Sequence, residues 1–264
     1  MKREVSNIQL IKNVFYNDLS KRIGVVLFWL AIWEFVSLCL SQPLFLPSPI
    51  VVIKTTGILL VKGESWIYIL TSLSHILFGL LSGIFLATLL AICAFKNSFF
   101  SDLISPLILV MKSVPVASLI ILLLFYLKTG MVSTVIVLLI VLPIFYTNLL
   151  EGLVNMSPEL NEMATVFRIP LMKKIRGIYL PQLLPFVVAS SKVCLGLSWK
   201  AGVAAEVIAV LGGTIGAQLY LSKVYLEAPL LFSWTLIILL LSFSMEKIII
   251  SVIKLAFSCL EELN

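Results

Sequence analysis

Six long apolar stretches, separated by short polar connections, dominate the chain. They cover residues 23–40, 67–95, 103–127, 132–150, 183–211 and 230–257. Each is near or above the roughly 20 residues that a helix needs to cross the hydrocarbon core of a bilayer. Helices and closed barrels are the structures that satisfy every backbone hydrogen bond in lipid. The pattern therefore predicts an all-α integral membrane protein with six transmembrane helices.

Composition favours one membrane domain over a soluble fold. The 264 residues are 61% hydrophobic and 12% charged, whereas soluble domains average roughly 25% charged residues. The chain is expected to consist of an N-terminal tail (1–22), a transmembrane domain (23–258) and a C-terminal tail (259–264). The first apolar stretch has no convincing cleavage site of small residues behind it, so it is interpreted as a retained span.

The distribution of basic residues predicts the orientation in the membrane. Loops on the cytoplasmic side of membrane proteins carry an excess of Lys and Arg, so the richer side, and with it both termini, is expected in the cytoplasm. The same bias explains the net charge of +6 without a nucleic-acid partner. The richer side has Lys2, Arg3, Lys12, Lys21, Arg22, Lys96, Arg168, Lys173, Lys174 and Arg176, and the other side has Lys54, Lys62, Lys128 and Lys223.

The longest internal polar connection, residues 151–181, predicts a helical hairpin outside the membrane. Ser157 supplies a hydroxyl cap and Pro158 a favourable first residue for a helix that runs to about Phe167. Pro170 ends this helix, and a second short basic helix is expected from about residue 171 to 179. The first helix has one apolar face with Leu160, Met163, Ala164 and Phe167 at i, i+3, i+4 and i+7. The hairpin is either a solvated loop or a surface that docks a partner.

This connection resembles the EAA loop of ABC importer permeases. The family pattern is Glu-Ala-Ala, three residues, Gly, nine residues, Ile, one residue, Leu-Pro. Five of the seven positions match, and the two departures are Met163 for an alanine and Arg168 for the glycine. A side chain in the left-handed turn expected there costs on the order of 1 kcal/mol. The corresponding residues in this chain are Glu162, Met163, Ala164, Arg168, Ile178, Leu180 and Pro181.

The similarity extends from Leu46-Pro47-Ser48-Pro49 through Pro115 to the end of the fifth apolar stretch, and points to the nitrate, sulfonate and taurine branch of the type I importers. The resemblance implies the type I ABC importer fold and a location in the prokaryotic plasma membrane. It implies three kinds of protein partner: ABC ATPase subunits, an extracytoplasmic substrate-binding protein and a second permease copy. It also implies that ATPase coupling involves Glu159, Glu162, Met163, Ala164, Phe167, Arg168, Ile178, Leu180 and Pro181.

Charged residues inside the apolar stretches are the second group of candidates, because an ion at the bilayer centre costs at least roughly 2.5 kcal/mol. Lys200 and Glu206 lie deep in the fifth stretch, and three readings stay open: they line the transport route, pair with each other, or form a purely structural ion pair. Lys192 is expected to be structural and to reach the interface. The resemblance makes the fifth stretch part of the translocation path. The candidate path residues are Lys112, Pro115, Lys200, Ala201, Ala205 and Glu206.

Neither a nucleotide site nor a metal site is predicted. The glycine-rich segment 212–216 lacks the lysine and spacing of a phosphate-binding loop and is interpreted as a flexible outer turn. The four cysteines match no metal motif. The chain is therefore expected to have no catalytic residues and no bound cofactor, with ATP and Mg²⁺ used by the partner ATPase.

Two other functions are compatible with several membrane spans. An ATP-independent secondary transporter would also place charges and prolines within spans, although no internal repeat is visible. An intramembrane serine protease would use the G-x-S element ending at Ser198, with His75 as the base. For an importer, the family branch suggests a small anion such as a sulfonate, taurine or nitrate.

Overall fold

The computed structural model describes residues 21, 23–40, 42 and 44–262, and within them the regular structure is helical. The long helices are α1 (Ile23–Leu40), α3 (Gly63–Lys96), α6 (Thr129–Val154), α9 (Leu180–Ala209) and α11 (Ala228–Glu262). The shorter ones are α2 (Pro49–Val61), α4 (Ser98–Ser113), α5 (Val116–Tyr126), α7 (Pro158–Val166), α8 (Leu171–Lys174) and α10 (Ile215–Val224). A π-helical turn, Ile175–Tyr179, joins α8 to α9, so residues Leu171–Ala209 form one continuous helix of 39 residues.

The helices confirm an all-α membrane protein but change one of the predicted spans. Within the described residues, five helices are long and apolar enough to cross a membrane. The stretch 103–127 is not a single helix, because α4 and α5 meet at an angle of 105°. Pro115 cannot donate a backbone hydrogen bond, and it restricts the preceding Val114 to extended backbone. The number of crossings is six if this bent pair is one span.

The contacts divide the chain into two compact units. The first contains α1, α2 and Ser222–Ser233. In it, the Trp33 indole donates a hydrogen bond of 3.1 Å to the Pro47 carbonyl, and the Ser233 hydroxyl donates one of 3.1 Å to the Val52 carbonyl. The first bond joins α1 to the proline-rich segment before α2, and the second joins α2 to Ser233.

The second unit contains Lys62–Leu221 and the chain from Trp234 onwards, and its core is made by α3, α6 and α9. Small residues let these helices approach closely. A Cβ atom on Gly79 of α3 would lie 2.5 Å from the Thr134 carbonyl oxygen of α6. A Cβ atom on Gly202 of α9 would likewise lie 3.1 Å from the Val137 side chain of α6, so α9 also packs closely along α6. One end of α9 continues into the hairpin, and the other end carries Glu206.

Candidate functional site

The first helix of the hairpin begins where the sequence predicted, and its start is held by a side-chain cap. The Ser157 oxygen accepts a hydrogen bond of 3.3 Å from the Leu160 amide. The same hydroxyl donates one of 2.5 Å to the Glu159 carboxylate. This bond favours the ionised carboxylate and lowers the pKa of Glu159 below its usual value. The start of α7 is therefore ordered by a hydroxyl and a charge together.

The end of α7 has the backbone of a glycine turn although the residue is arginine. Arg168 has φ +50°, in the left-handed region. The Arg168 amide donates a 3.1 Å bond to the Thr165 carbonyl, and the Ile169 amide donates a 2.9 Å bond to the Ala164 carbonyl. These two bonds form a Schellman motif. The turn geometry of the family motif is thus retained, with a strained side chain in the glycine position.

The hairpin presents apolar side chains that are unusually exposed. The predicted apolar face of α7 is buried at Ala164, which is 2% exposed, whereas Leu160 and Met163 are about two-fifths exposed. Phe167 lies at the tip and is 73% exposed. We define the hairpin apolar surface as Val166, Phe167, Leu171 and Met172, all of which are more than half exposed. Several large apolar side chains exposed on one loop that otherwise carries charges are typical of an interaction site.

The return of the hairpin to the core is fixed by Gln182, which the sequence analysis missed. Its side-chain oxygen accepts a 2.9 Å hydrogen bond from the Ser157 amide, and its side-chain nitrogen donates a 3.0 Å bond to the Ile178 carbonyl. Ile178 is buried, and Leu180 and Pro181 form the first residues of α9. Gln182 therefore ties the start of α7 to the start of α9. A polar residue at the head of an apolar stretch was the available signal.

Two lysines line one cavity of about 490 Å³ beside the bent pair α4 and α5. Lys112 comes from the last turn of α4, and its ammonium donates a 2.7 Å hydrogen bond to the Thr147 hydroxyl of α6. Lys200 comes from α9. The remaining lining residues are Met111, Val114, Val116, Leu119, Ile140, Pro143, Ile144, Leu197, Ala201 and Ala204. Among these residues there is no acid, so the cavity combines two cations with apolar walls.

The residues that were predicted to line the translocation path do not all line the same cavity. Lys112, Lys200 and Ala201 line the cavity. Pro115 forms the break between two lining residues, and Ala205 is fully buried in an apolar cluster with Ile120. Glu206 is not among the lining residues, and its partners are Ser72, Gly216 and His75 instead of Lys200.

Glu206 is fully buried in a polar cluster. This cluster lies at the C-terminal end of α9, and the hairpin lies at its N-terminal end. Its carboxylate accepts hydrogen bonds of 2.7 Å from the Ser72 hydroxyl of α3 and 3.1 Å from the Gly216 amide of α10. Its other oxygen lies 3.7 Å from Nδ1 of His75. A carboxylate at the first turn of a helix is favoured by the orphan amides and by the helix dipole.

Two residues of the glycine-rich segment 212–216 contribute to the start of α10: Thr214 caps the helix, and Gly216 lies in its first turn. Thr214 is fully buried, and its oxygen accepts a 3.2 Å hydrogen bond from the Ala217 amide. A Cβ atom on Gly216 would overlap Glu206, so this glycine permits the close approach of α10 to α9. The segment read as a loop from its glycines is therefore part of the Glu206 cluster.

The geometry does not support a serine protease. The buried Ser198 hydroxyl donates a 2.6 Å hydrogen bond to the Cys194 carbonyl of its own helix. His75, the single histidine of the chain, lies beside Glu206 instead. Ser198 is thus a satisfied helix residue without a base.

Comparison with known proteins finds similarity to components of membrane transport systems. The family of binding-protein-dependent transport system inner membrane components matches residues 79–249. The putative aliphatic sulfonates transport permease protein of Bacillus subtilis is 27% identical over 183 residues, which are 68% of this chain and 66% of that protein. The nitrate import permease protein of Synechococcus elongatus is 28% identical over 198 residues, 70% of each chain. A bicarbonate transport system permease protein from the same organism is 31% identical over 78 residues, 30% of this chain and 27% of that protein.

A crystal structure of an amino acid ABC transporter with histidines covers 88% of this chain and 99% of its own, at 16% identity and a TM-score of 0.45. The family match spans well over half of the chain and includes the lysine-lined cavity, the hairpin and Glu206, whereas Ser72 and His75 lie before its first residue. The resemblance drawn from the hairpin motif is thereby confirmed, and the chain belongs to the family of binding-protein-dependent transport system inner membrane components.

Proposed function

We propose that this chain forms the transmembrane path of an importer for small anions, supplied by a substrate-binding protein and driven by a separate ATPase. Membership of the family is the observation that carries the proposal. The named relatives transport aliphatic sulfonates, nitrate or bicarbonate, all of which are small anions. The chain's own structure adds a chemical reason for an anion and a mechanical reason for an external motor.

The chemical reason is the cavity that contains Lys112 and Lys200. Its lining includes two ammonium groups and, within the described residues, no carboxylate. The other ten lining residues are apolar, so the two ammonium groups are the charged groups that a solute would meet in this cavity, and they attract an anion. A cation would meet two like charges there. The lining therefore favours an anion small enough to pass between α4, α5, α6 and α9.

The mechanical reason is the connection between the hairpin and that cavity. The hairpin apolar surface offers an ATPase a contact of four exposed side chains. Leu171 and Met172 on this surface belong to the same continuous helix, Leu171–Ala209, that carries Lys200. A displacement of the hairpin would therefore reach the cavity along one continuous helix. Gln182 helps by keeping the two ends of the hairpin together.

The assembly proposed here has two copies of this chain in a prokaryotic plasma membrane, with both termini and the hairpin in the cytoplasm. Each hairpin docks one ATPase subunit, which binds ATP and Mg²⁺, and the permease itself holds no cofactor. The positive charge of the hairpin end supports this orientation, because Lys96, Lys173, Lys174 and Arg176 all lie at that end of the second unit.

The rival function is an ATP-independent secondary transporter, and reconstitution separates the two. The full chain is inserted into liposomes alone, or with the ATPase and binding protein encoded beside it. Uptake of radiolabelled nitrate, taurine and bicarbonate is then measured with ATP on the ATPase side. The proposal expects uptake of at least one anion that requires all the components and ATP. Anion exchange by this chain alone would reject it in favour of the secondary transporter.

A further inference from the structure

A second cavity, of about 530 Å³, lies at the hairpin end of the second unit and is separate from the lysine-lined cavity. Its walls come from α3, α6, α11 and the continuous helix that begins at Leu171, with Ile92, Leu149, Leu183 and Phe257 as examples. The volume falls within the roughly 300–1,000 Å³ of small-molecule sites. The transport path proposed above does not use this space, so its walls indicate a different occupant.

The body of this cavity offers almost nothing to a polar molecule. Of its sixteen lining residues, only Thr88, Lys96 and Tyr179 have polar side-chain groups. The Thr88 hydroxyl already donates a 2.8 Å hydrogen bond to the Ile84 carbonyl of its own helix. Cavities with apolar walls exclude water and accept hydrocarbon. The occupant must therefore be mainly apolar.

The rim of the cavity carries positive charge. Lys96 lines the cavity at the end of α3 and is exposed. The ammonium of Lys174 lies 5.4 Å from the ring centroid of Tyr179, another lining residue. Within the described residues, the lining contains no acid. An occupant with an apolar body and an anionic end matches both the walls and the rim.

We propose that this cavity binds one acyl chain of an anionic phospholipid, with the headgroup held by Lys96 and Lys174. Basic residues at the membrane surface attract anionic lipids, and a bilayer supplies such chains at this depth. Leu171, Ile175 and Tyr179 of the hairpin's second half form part of the wall. The bound lipid therefore contacts the second half of the hairpin and limits its movement. If the hairpin docks the ATPase as proposed above, the lipid stabilises the docking segment. This role is independent of the substrate that the permease transports.

Native mass spectrometry of the full-length chain in non-ionic detergent tests the proposal. The chain is stripped of co-purified lipid and titrated with palmitoyl-oleoyl phosphatidylglycerol or with the zwitterionic phosphatidylcholine of the same chains. One tight phosphatidylglycerol site is expected, at least tenfold tighter than phosphatidylcholine. Lys96→Gln should remove most of this tenfold preference. Ile92→Trp, at a lining residue that is 40% exposed, should fill the cavity and weaken both lipids.

Lys128→Gln is the matched control. Lys128 precedes α6, which lines the cavity only from Phe145 onwards, so it lies about 25 Å from the nearest of these lining residues at 1.5 Å per residue. The control should leave binding unchanged, and size-exclusion profiles should show that every variant is folded. Equal affinity for the two lipids, an effect of Lys128→Gln as large as that of Lys96→Gln, or unchanged binding in Ile92→Trp would each overturn the proposal. A tight site that appears only after residues 2–20 are deleted would show that the chain's own tail fills the cavity, and would overturn it as well.

Discussion

Ser72 joins Glu206 to the first turn of α10 by acting as donor and acceptor at once. Its hydroxyl donates a 2.7 Å hydrogen bond to the Glu206 carboxylate, and its oxygen accepts one of 2.9 Å from the Ile215 amide. Three helices, α3, α9 and α10, meet at this hydroxyl, which is fully buried. A buried carboxylate is stabilised only when it is hydrogen-bonded, so Ser72 has a large share in the stability of this end of the unit.

We therefore expect Ser72→Ala to lower the free energy of unfolding by about 1–3 kcal/mol, because it leaves the buried Ile215 amide without this partner and leaves the Glu206 carboxylate with only the Gly216 amide as a donor. Unfolding of the purified chain in mixed micelles by increasing denaturant measures the change. Ser74→Ala is the control, since the exposed Ser74 hydroxyl donates only to the Thr71 carbonyl one turn earlier. Equal effects of the two substitutions would show that the hydrogen bonds of the Glu206 cluster contribute no more to the free energy of unfolding than an ordinary surface hydroxyl does.

Removal of one cavity charge should reduce anion transport. Lys200→Gln keeps a polar side chain of similar length but deletes a cation from the cavity. A contact to a charged group contributes about 1.5–3 kcal/mol, so the rate of uptake at low substrate concentration should fall roughly tenfold or more. Uptake into proteoliposomes that contain the complete transporter measures this effect.

Lys192→Gln is the matched control for that substitution. Lys192 lies on the same helix, is also exposed and is not among the residues that line the cavity. Its loss should leave anion uptake near the level of the original protein. If Lys192→Gln impaired uptake as strongly as Lys200→Gln, the rate of anion uptake would depend on the total charge of α9 and not on the charge inside the cavity.

The turn at Arg168 predicts a gain in stability. Because the backbone of Arg168 is left-handed, Arg168→Gly should relieve about 1 kcal/mol of strain. The effect is local, so hydrogen exchange of the Ile169 amide, which bonds to the Ala164 carbonyl, is the suitable measurement. Exchange should slow in the glycine variant.

Arg168→Ala separates backbone strain from charge at the same position. It removes the guanidinium but keeps a Cβ atom in the left-handed turn, so it should not slow exchange. Slower exchange in both variants would mean that charge repulsion, not the left-handed backbone, destabilises the hairpin tip.

The cap of α7 predicts a dependence on pH. The pKa of Glu159 is lowered in the folded hairpin by the Ser157 hydroxyl. The resulting stabilisation is fully present above the usual glutamate pKa of about 4.3, and it is lost as the pH falls through the lowered pKa. Side-chain NMR titration of Glu159 should therefore give a midpoint that rises in Ser157→Ala. An unchanged midpoint would contradict the role of this hydrogen bond.

Most helices could be predicted from the sequence, whereas the bend at Pro115 and the partners of Glu206 could not. Apolar stretches must form helices in lipid, so their positions follow from hydropathy. A hydropathy pattern carries no information on backbone angles, however. It therefore predicted one span over residues 103–127, whereas the extended backbone of Val114 and Pro115 divides this stretch into two helices. Similarly, Lys200 is the charged residue nearest to Glu206 along the helix, but the actual partners come from helices distant in sequence.

The hairpin shows the same division. Its cap at Ser157 and its left-handed turn at Arg168 followed from local chemistry and from the family motif. The exposure of Phe167 and the bridge made by Gln182 depend on how the hairpin meets the core. Those contacts are set by tertiary packing, which a single sequence does not specify.

Photo-cross-linking from Phe167 tests the docking of a motor protein most directly. Phe167 is replaced by p-benzoylphenylalanine in cells that express the complete transporter, and Tyr126, a similarly exposed aromatic residue before α6, is replaced as the control. If the hairpin apolar surface holds the ATPase, irradiation will give a covalent adduct with the ATPase subunit from position 167 and none from position 126. An adduct with the binding protein from position 167, or equal yields of ATPase adduct from both positions, would contradict the account.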